Sequence, residues 1–306
     1  MKAILLSDTH LINENPIGRL DDVTETQWEK LSYIFDYAVK NKIEHVLQAG
    51  DLTDIRRSWE LLQMLFLFLR KYQNVKLYFI KGQHCSYYHD ITNDKTITGE
   101  LHSSGVAQLL ASKPINIGGG VYVYGASYGE EVPEVNTCGT NILVIHKQIL
   151  TSKVYAKQED YVLADQFLKE HNAFDLILCG DVHQNFIKQQ GKRIICNTGP
   201  MLRLEASEMM FKHKPVFFVY DTNNGNIKSI DIPHAVANSV LSREHLNKQK
   251  ERKQNFDNFI AQVRELTNEN NSVSFEKNLE IIMKKNKTSK GVRAMVIDYL
   301  SNKEEK

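Results

Sequence analysis

Five apolar, strand-forming segments of this chain end in the same way, with an Asp, His or Gln directly at the tip. The tips read Asp8-Thr9-His10, Gly50-Asp51-Leu52-Thr53-Asp54, Gly82-Gln83-His84, His146 and Gly180-Asp181-Val182-His183. Loops that follow buried strands are where an α/β sheet offers positions for a site. A lone Asp or His after a strand is ordinarily a turn former or a helix cap. Five of them in this order need more than turn chemistry, and they constrain the fold before any other feature does.

The segments between the tips predict a layered α/β architecture. Apolar runs rich in β-branched residues read as strands over Ala3–Leu6, His45–Gln48, Lys76–Ile80, Val121–Tyr124, Ile142–Ile145, Leu176–Leu178, Arg193–Cys196 and Val216–Tyr220. Amphipathic stretches read as helices over Glu25–Asn41, Ser58–Tyr72, Gly99–Ser112 and Tyr161–His171. With 306 residues and 42% hydrophobic content, the chain has room for one large α/β domain and an appendage.

The composition changes after Pro233, where strand-like runs thin out and Lys, Asn, Gln and Glu dominate. Residues 1–232 are therefore assigned to the main domain and 233–306 to a basic, helical C-terminal extension. From Arg243 to Lys306 there are 14 Lys+Arg against 10 Asp+Glu, net +4, whereas the whole chain balances 38 against 37. Any nucleic-acid or membrane partner must then be met locally rather than by a global field. Phe256, Phe259, Ile260, Val263 and Leu266 have helical spacing, and two shorter helices follow around Leu279–Ile282 and Val292–Leu300.

The longest apolar run, Leu61–Leu69 interrupted by Gln63, is far short of the roughly 20 residues that span a bilayer, so no membrane partner is expected. The opening Met1–Leu6 stops at Ser7-Asp8 and reads as a buried strand rather than a signal peptide. Four cysteines, none in a CxxC pair, suit a reducing cytoplasm.

Taken together, the tips offer Asp oxygens, His nitrogens and one amide oxygen, with no thiolate. That donor set suits Mn²⁺, Fe²⁺ or Zn²⁺ better than a sulfur-rich structural zinc site. An Asp bridging two cations about 3.5–4 Å apart would let both polarise one phosphate and share one activated hydroxide. The chemistry read from the residues is phosphoester hydrolysis.

In this series the sequence resembles the calcineurin-like binuclear metallophosphoesterases, whose pattern runs D-x-H, G-D-x-x-D, G-N-H-D/E, a lone H and G-H-x-H. Here it reads DTH, GDLTD, GQHC, His146 and GDVH, and the likeness covers roughly residues 1–222. The stretch Asn197–Glu208 looks like the segment that follows the last motif in SbcD-type DNA repair nucleases. The resemblance implies a layered β-sandwich core flanked by helices, followed here by the short helical extension.

It also implies roles for individual residues. One metal would be held by Asp8, His10, Asp51 and His183, the other by Asp51 as bridge with Gln83, His146 and Asp181. Gln83 stands where the family has Asn and Asp181 where it has His, and both side chains still offer oxygen ligands. Three carboxylates favour Mn²⁺ or Mg²⁺ as the two divalent ions. His84 aligns with the histidine that protonates the leaving oxygen, after attack by a metal-bridging hydroxide. Cys85 takes the place of the acidic residue that orients that histidine, and a thiol is a poor acceptor for the task.

The resemblance further implies DNA as substrate, an SMC-like ATPase of the SbcC type as partner, and a homodimer contact through the helix over Trp59–Tyr72. That helix has an equally simple use, buried between the sheet and its neighbours. Phe256, Phe259, Ile260 and Val263 fit either docking on the ATPase or packing within their own domain. Arg203 and Tyr87 are candidate substrate contacts, Tyr87 together with Tyr88 and His89 as stacking surfaces. Two other functions share these residues: a phosphodiesterase or phosphatase acting on a nucleotide or phosphoprotein, and a scaffold of weakened catalysis that binds DNA or the ATPase.

Overall fold

The apolar runs of the sequence become the inner strands of two six-stranded sheets. The structure is a computed structural model, and it describes residues 1–87, 90–152, 161–269, 275–285 and 287–301. The first half of the chain contains β1 (Lys2–Leu6), α1 (Val23–Lys40), β2 (His45–Gln48), α2 (Trp59–Lys71), β3 (Lys76–Phe79), α3 (Ile97–Ser103) and β4 (Gln108–Leu109). There follow β5 (Ile115–Gly118), β6 (Val121–Ala126), β7 (Thr140–His146), β8 (Ile149–Leu150), β9 (Val162–Leu163), α4 (Ala164–Glu170) and β10 (Leu176–Gly180). Next come β11 (Phe186–Gln190), β12 (Arg193–Asn197), α5 (Glu208–Lys212), β13 (Val216–Asp221), β14 (Asn226–Asp231) and α6 (Ala237–Val240). The last elements are α7 (Glu244–Glu269), α8 (Phe275–Lys285) and α9 (Lys290–Ser301).

One sheet runs β14-β13-β1-β2-β3-β4, the other β11-β12-β10-β7-β6-β5. In the first, β1 to β4 are parallel and β13 and β14 follow in antiparallel pairing beyond β1; in the second, β6, β7, β10 and β12 are parallel, with β5 and β11 pairing antiparallel at the edges. Alternation along each strand divides its side chains between two cores. Ala3, Leu5 and Leu47 of the first sheet meet Val123, Ile142, Val144 and Leu178 of the second in the layer between them. The intervening residues Ile4, Leu6, Val46 and Phe79 face α1 and α2, packing on Ile34, Phe35 and Leu65. On the far side, Leu143, Ile145 and Ile177 pack on Phe167 and Leu168 of α4. The result is a helix-flanked α/β sandwich: the alternation of elements predicts its layered α/β architecture, and the resemblance implies its two packed sheets.

Several elements differ from the sequence expectation. The helix predicted over Gly99–Ser112 ends at Ser103, because Ser104 caps it, Gly105 turns with φ +73°, and the chain re-enters the sheet as β4. The helix predicted from Tyr161 begins only at Ala164, since Val162–Leu163 pairs with Ile149–Leu150 as β9. Edge strands β11 and β14 were not predicted: FIKQQ and NIKSID bury at most one face and contain no apolar run.

The chain divides into two compact units, Met1–Ser242 and Arg243–Lys306. Residues 237–242 stay with the first, where Val240 and Leu241 pack on Met210 and Leu241 bridges Arg19. Within the second unit, Leu279, Ile282 and Met283 of α8 gather Phe259 of α7 and Val296 of α9. Phe259 thus packs inside its own unit, while Phe256 remains 44% exposed. The side chain of Val263 and residues Tyr88, His89 and Asn286 lie outside the described set. No helix among the described residues is long and apolar enough to cross a membrane.

Candidate metal centre

Parallel pairing carries the five tips to one end of the sandwich. β1 and β2 are in register up to Leu6 and Gln48, and their pairing continues into the tips through His10 N–H to Asp51 O (2.9 Å) and Leu11 N–H to Leu52 O (3.0 Å). In the second sheet His146 ends β7 in register with Gly180, the residue before Asp181. Four tip residues adopt left-handed backbone: Asp8 (φ +49°), His10 (+46°), Asp51 (+49°) and Asp181 (+84°). Asp and His tolerate that region better than most residues, and the strain turns their side chains off the strand ends into a common space. Gly50, at φ +83°, lies so close to the His146 ring that a Cβ there would overlap it, and a Cβ on Gly82 would overlap the Asp51 carboxylate.

Besides the group His10–Asp54–His84, the side chains meet in two overlapping triads, Asp8–His10–His183 and Asp8–Asp51–His146, each with one donor atom per residue within 4.8 Å of the others. Asp8 is common to both, whereas the family pattern leads one to expect Asp51 in that place. The Nε2 atoms of His10 and His183 face each other at 3.1 Å. His146 Nδ1 lies 2.8 Å from the carbonyl oxygen of Ala49, which can only accept, so the proton sits on Nδ1. Its Nε2 then faces Gln83 Oε1 at 2.7 Å, Asp51 Oδ2 at 3.3 Å and Asp181 Oδ1 at 3.9 Å. The Gln83 amide donates to Asp181 Oδ1 at 2.7 Å, and Asp181 N–H donates to Asp8 Oδ1 at 2.9 Å. All seven ligand candidates therefore lie in one connected cluster.

The electrostatics of the cluster fit a cation. Asp8 is fully buried, its Oδ2 has no hydrogen-bond partner, and burial raises its pKa against the pull of His146, His10 and His183. Burial would push the His146 imidazolium down, but Asp51 and Asp8 outweigh it and hold its pKa up at about 9. The raised values of Asp8 and His146 mean that protons sit among these crowded oxygen and nitrogen atoms, the place a divalent ion would take. Ala49 and Asp54, bonded to the outer ring nitrogens of His146 and His10, fix which nitrogen is offered inward.

His84 stands beside the triads with its side chain 47% exposed. Its Nδ1 lies 2.7 Å from Asp54 Oδ1, and that bond, opposed by partial burial and assisted by Asp51, raises its pKa. Asp54 also holds His10 Nδ1 at 3.2 Å, and the two histidines keep its carboxyl well below the usual range. Asp54 thus makes the contact to His84 that the resemblance assigns to an acidic residue at the position of Cys85. No local pattern marks this partnership, since Asp54 lies thirty residues from His84 in the tip that carries Asp51. Cys85 is buried with its thiol pushed up to about 12 by burial, and it donates to the Thr53 carbonyl.

Beside the cluster opens a cleft of about 380 Å³ lined by His10, Asp54, His84 and His183, and by Pro200, Leu202, Leu204 and Glu205. Arg203 does not line it. Its guanidinium turns the other way, 5% exposed, and donates to the carbonyls of His213 (2.7 and 2.9 Å) and Ala235 (2.8 Å). Tyr87 lies under the Arg57 guanidinium, 4.6 Å from ring centre to carbon, and is also absent from the cleft lining.

The profile of the calcineurin-like phosphoesterase family matches residues 1–185. No curated protein matches the sequence. Among solved structures, the chain is similar to TT1561 of Thermus thermophilus, with 10% identity, TM-score 0.47, and 76% of this chain and 99% of that one covered. A novel archaeal phosphodiesterase shares 10% identity with TM-score 0.40 over 76% of this chain and 99% of its own. Zinc-complexed Vps29 from Entamoeba histolytica shares 14% with TM-score 0.38 over 76% and 100%.

Proposed function

Because the chain belongs to the calcineurin-like phosphoesterase family, we propose that it is a metal-dependent phosphodiesterase acting on DNA, a nuclease subunit of the SbcD type. The observation that carries this reading is the wall of the cleft. The 197–208 stretch, which resembles those nucleases, supplies Pro200, Leu202, Leu204 and Glu205 beside His10, His84 and His183. His84 on the cleft wall is 47% exposed, so a substrate can reach it from solvent.

Asp8, His10 and His183, together with Asp51, His146, Gln83 and Asp181, would hold two divalent cations. The oxygen-rich set favours Mn²⁺, with Mg²⁺, Fe²⁺ and Zn²⁺ as competitors. Bound there, such ions supply Lewis-acid polarisation of a phosphoryl oxygen and water activated at neutral pH. The chain's own residues do the rest. Asp54 orients the His84 ring through Nδ1 and raises its pKa, which suits Nε2 to donate a proton to the departing oxygen. Asp54 and the Ala49 carbonyl set the tautomers of His10 and His146.

The same reading includes work in the cytoplasm with an SMC-like ATPase, in DNA repair, replication or recombination, and a homodimer. Support for the dimer comes from α2, which buries Leu61, Leu65 and Phe68 while leaving Trp59 86% and Leu67 60% exposed. Light scattering on the eluting protein should give twice the chain mass, and a strict monomer counts against it.

Substrate is tested by hydrolysis of labelled single- and double-stranded DNA beside p-nitrophenyl phosphate and its bis-ester, in Mn²⁺, Mg²⁺ or EDTA. Mn²⁺-dependent DNA cleavage lost in His84→Ala supports the nuclease. Cleavage of the small esters alone moves the assignment to a small-molecule phosphodiesterase, and DNA binding without any hydrolysis moves it to a scaffold.

A further inference from the structure

On the other side of the 202–204 stretch lies a second pocket of about 400 Å³ whose charge the chain leaves unbalanced. Leu202 and Leu204 face the metal-side cleft, while Arg203 between them lines this pocket with Arg19 and Lys30. The three cationic residues are 8%, 6% and 5% exposed for Arg19, Lys30 and Arg203. Lys30 reaches the pocket from the same face of α1 as Tyr33, three residues on.

Asp21 is the one carboxylate bonded to these cations among the described residues, accepting from Arg19 Nε at 2.8 Å and from its second terminal nitrogen at 2.7 Å. Arg203 spends three nitrogens on the backbone carbonyls of His213 and Ala235, and Lys30 Nζ donates to the Met201 carbonyl at 3.0 Å. Carbonyls satisfy N–H groups but supply no counter-charge, and Lys30 has no ion pair among the described residues. Glu29 also lines the pocket but is exposed and forms no ion pair with these cations among the described residues, and His234 bonds the Ile232 carbonyl, so two carboxylates face three cationic groups. Burying cations in this excess is unfavourable unless an anion joins them. Each guanidinium keeps unused N–H groups, as does the ammonium.

We propose that Arg19, Lys30 and Arg203 form a phosphate-binding pocket separate from the metal centre. A phosphate brings negative charge and several acceptor oxygens to donors set in a fork, the match that guanidinium groups make best. The volume exceeds a bare phosphate and accommodates a phosphomonoester with an organic group attached. Lys30 has its pKa driven down to about 7, by burial first and then by Arg19 and Arg203, against the opposing pull of Asp21.

The test is calorimetric titration of the full chain in EDTA at pH 7 and constant ionic strength, first with inorganic phosphate and then with dAMP. The expected result is saturable 1:1 binding, weakened at least tenfold in Lys30→Met and kept within a few-fold in Lys30→Arg and in Asp8→Asn. Tighter binding of dAMP identifies a nucleotide-like phosphomonoester as the ligand, and equal or weaker binding identifies free phosphate. A second readout uses wild type alone. Sulfate, which does not titrate near neutrality, should bind with uptake of a fraction of a proton, seen as a dependence of the heat on the buffer's ionisation enthalpy. Absence of saturable binding by wild type, or binding abolished in Asp8→Asn but intact in Lys30→Met, would overturn the proposal.

Discussion

Replacing Asp54 by Asn removes one negative charge and leaves the shape of the side chain almost unchanged. In the structure that charge accepts from His84 at 2.7 Å and from His10 at 3.2 Å. A hydrogen bond to a charged group contributes about 1.5–3 kcal/mol. With His84 47% and Asp54 37% exposed, solvent screening places the loss at the lower end, about 1.5–2 kcal/mol. If the interaction matures as the leaving oxygen takes its proton, kcat should fall roughly 10–30-fold. The assay is kcat at saturating Mn²⁺ on two diesters, bis-p-nitrophenyl phosphate and a thymidine dinucleotide. The nitrophenolate departs without a proton and the nucleoside alkoxide does not, so the full loss should appear on the dinucleotide and only a few-fold loss on the nitrophenyl ester. Equal losses on both substrates would refute the reasoning, because Asp54 would then act through His10 or the fold rather than through the acid.

Three further outcomes follow from the geometry. Gly50→Ala combines a left-handed backbone, costing about 1–2 kcal/mol, with overpacking against the His146 ring, costing about 1–3 kcal/mol, and should lower the urea midpoint accordingly. Lys30, with its folded pKa near 7 against 10.5 unfolded, makes wild-type stability rise with pH across that window, since the unfolded chain there holds a proton that the folded chain has released. Relative to Lys30→Met, wild type should gain about 2–3 kcal/mol between pH 7 and 9 in urea titrations, and a pH-independent difference would contradict the burial argument. Finally, a thiol reagent should find Cys138, which is exposed, quickly in the native protein and all four cysteines only after denaturation, because Cys85, Cys179 and Cys196 are buried with raised pKa values.

What the sequence revealed, and what it hid, follows from where information is local. Buried parallel strands such as Ala3–Leu6 and Leu176–Leu178 announce themselves as apolar runs, and the Asp and His at their tips are conspicuous because burial makes such residues costly. Edge strands such as Asn226–Asp231 carry no such run, since water covers one face. The helix predicted past Ser103 overruns because Val106, Ala107, Leu109 and Leu110 continue its apolar pattern beyond Gly105. Side-chain partnerships across the fold left no local trace. Asp54 meets His84 only because β2 and β3 are neighbours, and Arg203 meets Arg19 only because the loop after β12 returns to the start of α1. The residue expected to touch substrate therefore proved to be turned away from the cleft, for reasons that only tertiary packing supplies.

The central claim is that the cluster around Asp8 holds two divalent ions. Counting Mn²⁺ bound per chain by equilibrium dialysis, for wild type and for Asp8→Asn, tests it most directly. Asp8 belongs to both triads, so the account predicts two ions on wild type and loss of both in the variant. Wild type holding no ion, or Asp8→Asn binding as many ions as wild type with the same affinity, would contradict it.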